Sequence, residues 1–229
     1  MTGTAVKQII RRWRRASLVV TGIGLIGQYT ACTTQNPKPD ANAAMQLLEA
    51  KRYQQAVDVL NPLISAYPDS LRWLRLRGFA YDELLRYGAG IADYTMVLSR
   101  QPDDVPTLNN RGYANYQSGE LTAALLDYSR ALGLHPAYVP ARSNRALVLV
   151  ALARYPQALV DIDRALYEGA TENSSLYNLQ GYCLLQLKHP LAAIHAFDRA
   201  ISLGAGYADA VSNREAAYQL LARNGKRSL

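Results

Sequence analysis

The sequence predicts an all-α fold: a solenoid of stacked antiparallel helix pairs closed by a C-terminal capping helix. Three observations carry this. A pattern of small and apolar residues recurs every 34 residues. Each period holds two apolar stripes of helical spacing, split by a short polar or glycine-bearing break. The chain is also 49% hydrophobic, enough for a continuous core. One pair of short amphipathic helices cannot bury both its apolar faces, so each pair needs a copy stacked beside it.

The first 31 residues read as an address. Residues 7–15, KQIIRRWRR, are a positive leader, and residues 16–27, ASLVVTGIGLIG, are an apolar run. Small residues then precede Cys32, as in a secretory signal. The run is shorter than the ~20 residues that span a bilayer. The leader also explains the net charge of +7. Removing its five basic residues from 25 leaves 20 against 18 acidic ones, which offers nucleic acid no basic face. The segment resembles a bacterial lipoprotein signal: Ala31 precedes Cys32, although Tyr29 replaces the usual leucine. That resemblance implies lipidation of Cys32 and, with Thr33 in place of aspartate, an outer-membrane address facing the periplasm. Residues 32–39 are a polar, proline-bearing tether.

Residues 40–222 form the predicted solenoid. Repeats start near residues 37, 71, 105, 139 and 174, the cap starts at 208, and a basic tail covers 223–229. The unit from Val105 to Pro136 is the best formed. Counting Val105 as position 1, Leu108 is at 4, Gly112 at 8, Asn115 at 11, Ala124 at 20, Tyr128 at 24, Ala131 at 27 and Pro136 at 32. The other repeats place Ala44, Gly78, Ala146 and Gly181 at position 8, and Leu60, Tyr94, Ile162 and Phe197 at position 24. Small residues at 8, 20 and 27 predict backbone-to-backbone contact between the two helices. Pro68, Pro102 and Pro136 end second helices, and Gly169 and Gly204 take over that task later. Pro156 and Pro190 fall at helix starts, where proline is tolerated, whereas Pro62 falls inside a helix and predicts a kink.

Charged residues also keep register. Arg77, Arg111, Arg145 and Arg214 occupy position 7, and Asp93, Asp127 and Asp161 occupy position 23. Arg–Asp pairs between the helices of repeats two to four are expected, each worth ~0.2–1 kcal/mol if exposed. Cys183 reads as a small buried apolar residue, and Glu215 marks the last helix as a solvent-facing cap.

This 34-residue pattern resembles the tetratricopeptide repeat (TPR) over roughly residues 37–222. The resemblance implies a right-handed superhelix whose concave surface is lined by the first helices. At 100° per residue, positions 2, 6, 9 and 13 form one stripe opposite positions 4, 8 and 11. The stripe carries Asn110, Tyr113, Asn144, Phe79, Tyr182 and Asn213, with Tyr116 added from position 12. Asparagine offers both a donor and an acceptor to a peptide backbone, and aromatic rings add rigid apolar contact. The stripe is therefore a candidate peptide-binding groove. The lysines and arginine with which chaperone-binding TPR domains clamp a carboxylate are missing beside Asn144, where Pro140 stands. Arg72 and Arg75 are the nearest positive charge, and Asp82 and Glu83 read as a solvated helix end.

No enzyme chemistry stands out. His135, His189 and His195 share no face, so no metal set is apparent, and no glycine-rich phosphate loop follows a strand. No cofactor or small-molecule substrate is expected. The expected partners are a protein or peptide in the groove and a membrane reached through the lipid anchor. Small TPR lipoproteins of this layout resemble pilus-assembly factors of pilotin or TadD type. The resemblance implies a scaffold or assembly factor of the bacterial envelope, or alternatively an adaptor presenting substrates to an envelope protease or peptidoglycan hydrolase.

Overall fold

The computed structural model describes residues 39–204 and 208–225. The expected signal, Cys32, most of the tether and the end of the basic tail lie outside the described residues. Eleven helices and no strand occur among them: α1 (Pro39–Glu49), α2 (Tyr53–Ala66), α3 (Leu71–Glu83), α4 (Tyr87–Arg100), α5 (Val105–Ser118), α6 (Leu121–Leu134), α7 (Val139–Ala151), α8 (Tyr155–Tyr167), α9 (Ser174–Gln186), α10 (Pro190–Leu203) and α11 (Ala208–Gly225). Among the described residues no helix is long and apolar enough to cross a membrane.

Consecutive helices pack as pairs and divide between two compact units, one ending at Pro136 with α1–α6 and the other beginning at Ala137 with α7–α11. Helix boundaries follow local chemistry. Asp104 caps α5 by accepting from the Thr107 amide at 3.1 Å, and Asn173 caps α9 by accepting from the Leu176 amide at 3.1 Å. Proline occupies the first turn of α5, α7, α8 and α10, where its missing N–H costs nothing. Helix α2 runs as one element from Tyr53 to Ala66 with Pro62 inside it.

In the first unit, Ala44, Ala56, Val57, Leu60 and Leu63 form a core between α1 and α2 that reaches Ala80 of α3. The small residue at position 8 lies at the expected close backbone approach, since a Cβ on Gly90 at position 20 would lie 3.1 Å from the Gly78 carbonyl oxygen. It has a second task as well. A Cβ on Gly78 would lie 2.7 Å from Tyr94 Cε1, and one on Gly112 would lie 2.8 Å from Tyr128 Cε1. The glycines leave room for a ring from the second helix. Where position 8 is Ala44, position 24 is the smaller Leu60, so the volumes of the two positions compensate. The second unit repeats the pairing: Gly181 accommodates Phe197, whose Cδ1 lies 2.6 Å from a Cβ built on it, and Ala146 goes with Ile162. Its core at the cap joins Ala193, Ile194, Phe197 and Ala200 to Ala210 and Ala217 of α11. Glu215 lies on the exposed side of that helix, and Cys183 is fully buried and free.

The three expected Arg–Asp pairs all form, and each is bidentate. Arg77 reaches Asp93 at 2.8 and 2.7 Å, Arg111 reaches Asp127 at 2.9 and 2.7 Å, and Arg145 reaches Asp161 at 2.7 and 2.7 Å. They differ from simple exposed pairs because the carboxylates are almost wholly buried, at 7%, 5% and 3% exposure. Position 7 also bonds back to position 25 of the preceding repeat. Arg77 donates to Asn61 at 2.9 Å, Arg111 to Thr95 at 3.3 Å, Gln180 to Asp163 at 2.7 Å and Arg214 to Asp198 at 2.6 Å. Arg77 and Arg111 each tie the two helices of their own repeat and stitch that repeat to its neighbour.

Every turn between the helices of a pair uses one backbone solution. Lys51, Leu85, Gly119, Ala153 and Lys188, all at position 15, have φ of 56°, 59°, 90°, 57° and 66°. In each, the next amide bonds back to a carbonyl five residues earlier, as Arg86 does to Tyr81 at 2.8 Å, which is a Schellman closure. Only repeat three supplies glycine, the residue that takes a left-handed φ without steric cost. Leu85→Gly is expected to raise stability by about 0.5–1 kcal/mol, and Gly119→Ala to lower it by about 1 kcal/mol. Urea denaturation of the two variants measures both, and equal midpoints would refute the strain.

Candidate functional site

The stripe residues are best taken unit by unit. In the first unit, α3 contributes Phe79 and α5 contributes Asn110, Tyr113 and Tyr116. Phe79, Asn110 and Tyr113 are half-buried, whereas Tyr116 is only 4% exposed. In the second unit, α7 contributes Asn144, α9 Tyr182 and α11 Asn213. Asn144 and Tyr182 are 8% and 5% exposed, and Asn213 is half-buried. Tyr116, Asn144 and Tyr182, expected on an open stripe, are therefore buried side chains that support the surface rather than form it. Asn110, Tyr113, Phe79 and Asn213 present polar or aromatic area to solvent.

The aromatic members are not isolated. A tyrosine at position 17, in the first turn of the second helix of three repeats, meets the position-9 ring of the next repeat edge to face. Tyr53 meets Phe79 at 6.0 Å between centroids, Tyr87 meets Tyr113 at 6.4 Å, and Tyr155 meets Tyr182 at 6.1 Å. Such pairs add ~0.5–1.5 kcal/mol beyond burial. They hold the rings in fixed orientations, which lowers the entropy a partner must remove on docking. Burial pushes the Tyr182 hydroxyl up to about 12, helped by Tyr155, and it pushes Tyr113 up as well, helped by Tyr87. Both phenols are neutral at ordinary pH.

Asp82 and Glu83 diverge from the expected solvated helix end. Glu83 is exposed, but Asp82 is 6% exposed and packs between α3 and α4. The Tyr94 hydroxyl donates to Asp82 Oδ2 at 2.8 Å. Asp82 Oδ1 is buried without a hydrogen-bond partner, and a Cβ on Gly90 would lie 2.5 Å from it. Burial raises the carboxyl to about 8, against the lowering effect of the Tyr94 bond, and Glu83 adds to the rise. Asp82 is thus largely a neutral acid at pH 7.

The nearby cations are already engaged. Arg75 pairs with Asp104 at 2.5 Å. The Arg72 guanidinium lies 5.0 Å from the Trp73 centroid, and Arg86 lies 4.7 Å from that of Tyr81. In the second unit Arg142 stands at position 4, where other repeats put Leu74, Leu108 and Tyr177. It is 11% exposed and bonds Glu168 at 3.0 Å, and Arg164 approaches the same carboxylate at 2.6 Å. Nothing in the periodic pattern signalled this substitution of charge for core. No three of His, Cys, Asp and Glu come together as a metal set among the described residues.

Stacked helix pairs with a ring-over-glycine contact, a left-handed turn at position 15 and polar first-helix faces define a helical-repeat fold built to present surface. Residues 77–139 and 174–203 match models of the tetratricopeptide repeat. Solved structures agree. MamA from Desulfovibrio magneticus RS-1 is 15% identical, with a TM-score of 0.67 over 72% of this chain and 92% of that one. YrrB, described as a TPR protein with an unusual peptide-binding site, is 14% identical, with a TM-score of 0.66 over 79% and 92%. TTC0263, a thermophilic TPR protein of Thermus thermophilus, is 17% identical, with a TM-score of 0.58 over 79% and 97%. The fold is that of a tetratricopeptide-repeat protein. No curated protein matches the sequence.

Proposed function

We propose that this chain is a non-enzymatic protein-binding scaffold that holds an extended peptide or a partner subunit against its first helices. The carrying observation is Asn110 on α5. It is half-buried beside Tyr113, and its Oδ1 accepts weakly from Asn109 at 3.4 Å. Its own amide nitrogen donates to no described residue. A half-exposed donor next to a fixed ring suits the carbonyl of an extended backbone. YrrB, which has a peptide-binding site on a similar fold, supports this reading. Asn110→Ala is expected to cut partner capture by the tagged full chain from its own envelope at least tenfold, with stability changed by no more than about 0.5 kcal/mol. Capture that is undiminished at unchanged stability would remove Asn110 from the site.

We further propose that the chain is exported, lipidated at Cys32 and held at the outer membrane by residues 32–39, where it assists assembly of a pilus or secretion system. The positive leader, the short apolar run and Ala31-Cys32 support the anchor. Cys32→Ser decides it: a mature mass and membrane partition equal to those of the parent chain would defeat lipidation.

A further inference from the structure

The first unit's aromatic face has a sign. Tyr53 and Phe79 form one edge-to-face pair, and Tyr87 and Tyr113 form the next. Exposed Glu83 at the end of α3 belongs to this region. It follows Phe79 by one helical turn on α3, and Phe79 meets Tyr53 edge to face. Burial and then the Glu83 carboxylate push the Tyr53 hydroxyl up to about 12. The same carboxylate acts electrostatically on Tyr113. Glu83 therefore lies on the Phe79 side of α3, with its charge felt at Tyr53 and Tyr113. It makes no ion pair among the described residues, whereas Asp69, Asp93, Asp103, Asp104 and Asp127 of this unit all do.

The rings show a matching contrast. Trp73 and Tyr81 already carry the chain's own guanidinium groups, from Arg72, Arg77 and Arg86. Among the described residues no cation lies over Tyr53, Phe79 or Tyr113. A carboxylate without an ion-pair partner, set beside half-buried rings that carry no cation among the described residues, attracts a cation twice: through charge, and through the ring quadrupole. An anion finds the reverse, since Arg75 is held by Asp104 and Arg72 lies over Trp73. We propose that this face binds a lysine or arginine side chain of the partner peptide, with Glu83 as its counter-ion and Tyr53, Phe79 and Tyr113 as its walls. This rests on the peptide-binding reading above and adds the chemistry of one side chain to it.

The test is a selection of phage-displayed random dodecapeptides on the full chain and, in parallel, on Glu83→Gln. Glutamine keeps the size and polarity of the side chain and removes only the charge. The expected result is enrichment of lysine and arginine at one position of the peptides retained by the parent chain, and its loss on the variant. An enriched peptide and its copy with that lysine changed to glutamine are then compared by fluorescence anisotropy. The parent should prefer the lysine peptide about tenfold, and Glu83→Gln should bind the two alike. Peptides selected without basic enrichment, or with the same enrichment on both proteins, would overturn the basic-side-chain assignment and leave the groove standing. If neither protein retains any peptide, both readings fall.

Discussion

Gly112→Ala is expected to destabilise the chain by about 1–2 kcal/mol, and Gly133→Ala to stabilise it by up to about 1 kcal/mol. The same methyl is added to a helix each time, so the opposite signs isolate packing from propensity. At Gly133 a Cβ meets nothing within 4 Å, and the helix gains alanine's propensity. At Gly112 it would lie 2.8 Å from Tyr128 Cε1 and 3.0 Å from Cδ1. Tyr128 is fully buried, so its ring has no free volume to move into. Overpacking of this kind costs about 1–3 kcal/mol and outweighs the propensity gain. The first repeat supplies the remedy, since Ala44 there is matched by Leu60. Adding Tyr128→Leu to Gly112→Ala should cost less than the two single changes summed, with a coupling of about 0.5–3 kcal/mol. Strictly additive melting shifts would show that the two positions do not share one space.

The second large effect concerns pH. Asp82→Asn is expected to match the parent chain near pH 4 and to become steadily more stable than it up to about pH 8, by a few kcal/mol at the plateau. The folded carboxyl titrates at about 8, and the unfolded one near 4. Below the unfolded value both states hold the proton, and the buried acid is neutral at no penalty. Between the two values the unfolded state gives up a proton that the folded state keeps, so stability falls as pH rises. Above about 8 both states are ionised and the penalty is constant. The amide removes the titration while keeping an acceptor for Tyr94. Melting curves from pH 4 to 9 read the difference, and parallel curves would mean that water reaches Asp82.

The 34-residue register was legible because it lies in residue size, which packing enforces in every copy. The Arg–Asp pairs were legible for the same reason, as two residue types held fixed positions. Their stitch to the preceding repeat was not, because the acceptors are Asn61, Thr95, Asp163 and Asp198, which share hydrogen-bonding capacity rather than identity. The left-handed turn was hidden as well. Lys51, Leu85, Ala153 and Lys188 carry no sign of positive φ, and only Gly119 does. The candidate surface was read least well. A helical wheel places Tyr116, Asn144 and Tyr182 on the right stripe but ignores the neighbouring repeat, and the partners of position 9 come from position 17 of the repeat before. Asp82 was misread beside Glu83 because two adjacent carboxylates look alike in a string, while the helix turns them 100° apart into different surroundings.

The stitch at position 7 gives the chain a graded response to ionic strength. Arg77 and Arg111 sit at 21% and 23% exposure against nearly buried aspartates, and their links to the preceding repeat end on the uncharged acceptors Asn61 and Thr95. Mobile ions reach such contacts poorly. The last stitch, Arg214 to Asp198, is ionic, and its partners are 34% and 46% exposed. Among the position-7 stitches, added salt therefore weakens the one between α11 and α10 most, while the apolar contacts of Ala210 and Ala217 with the core of α10 are untouched by it.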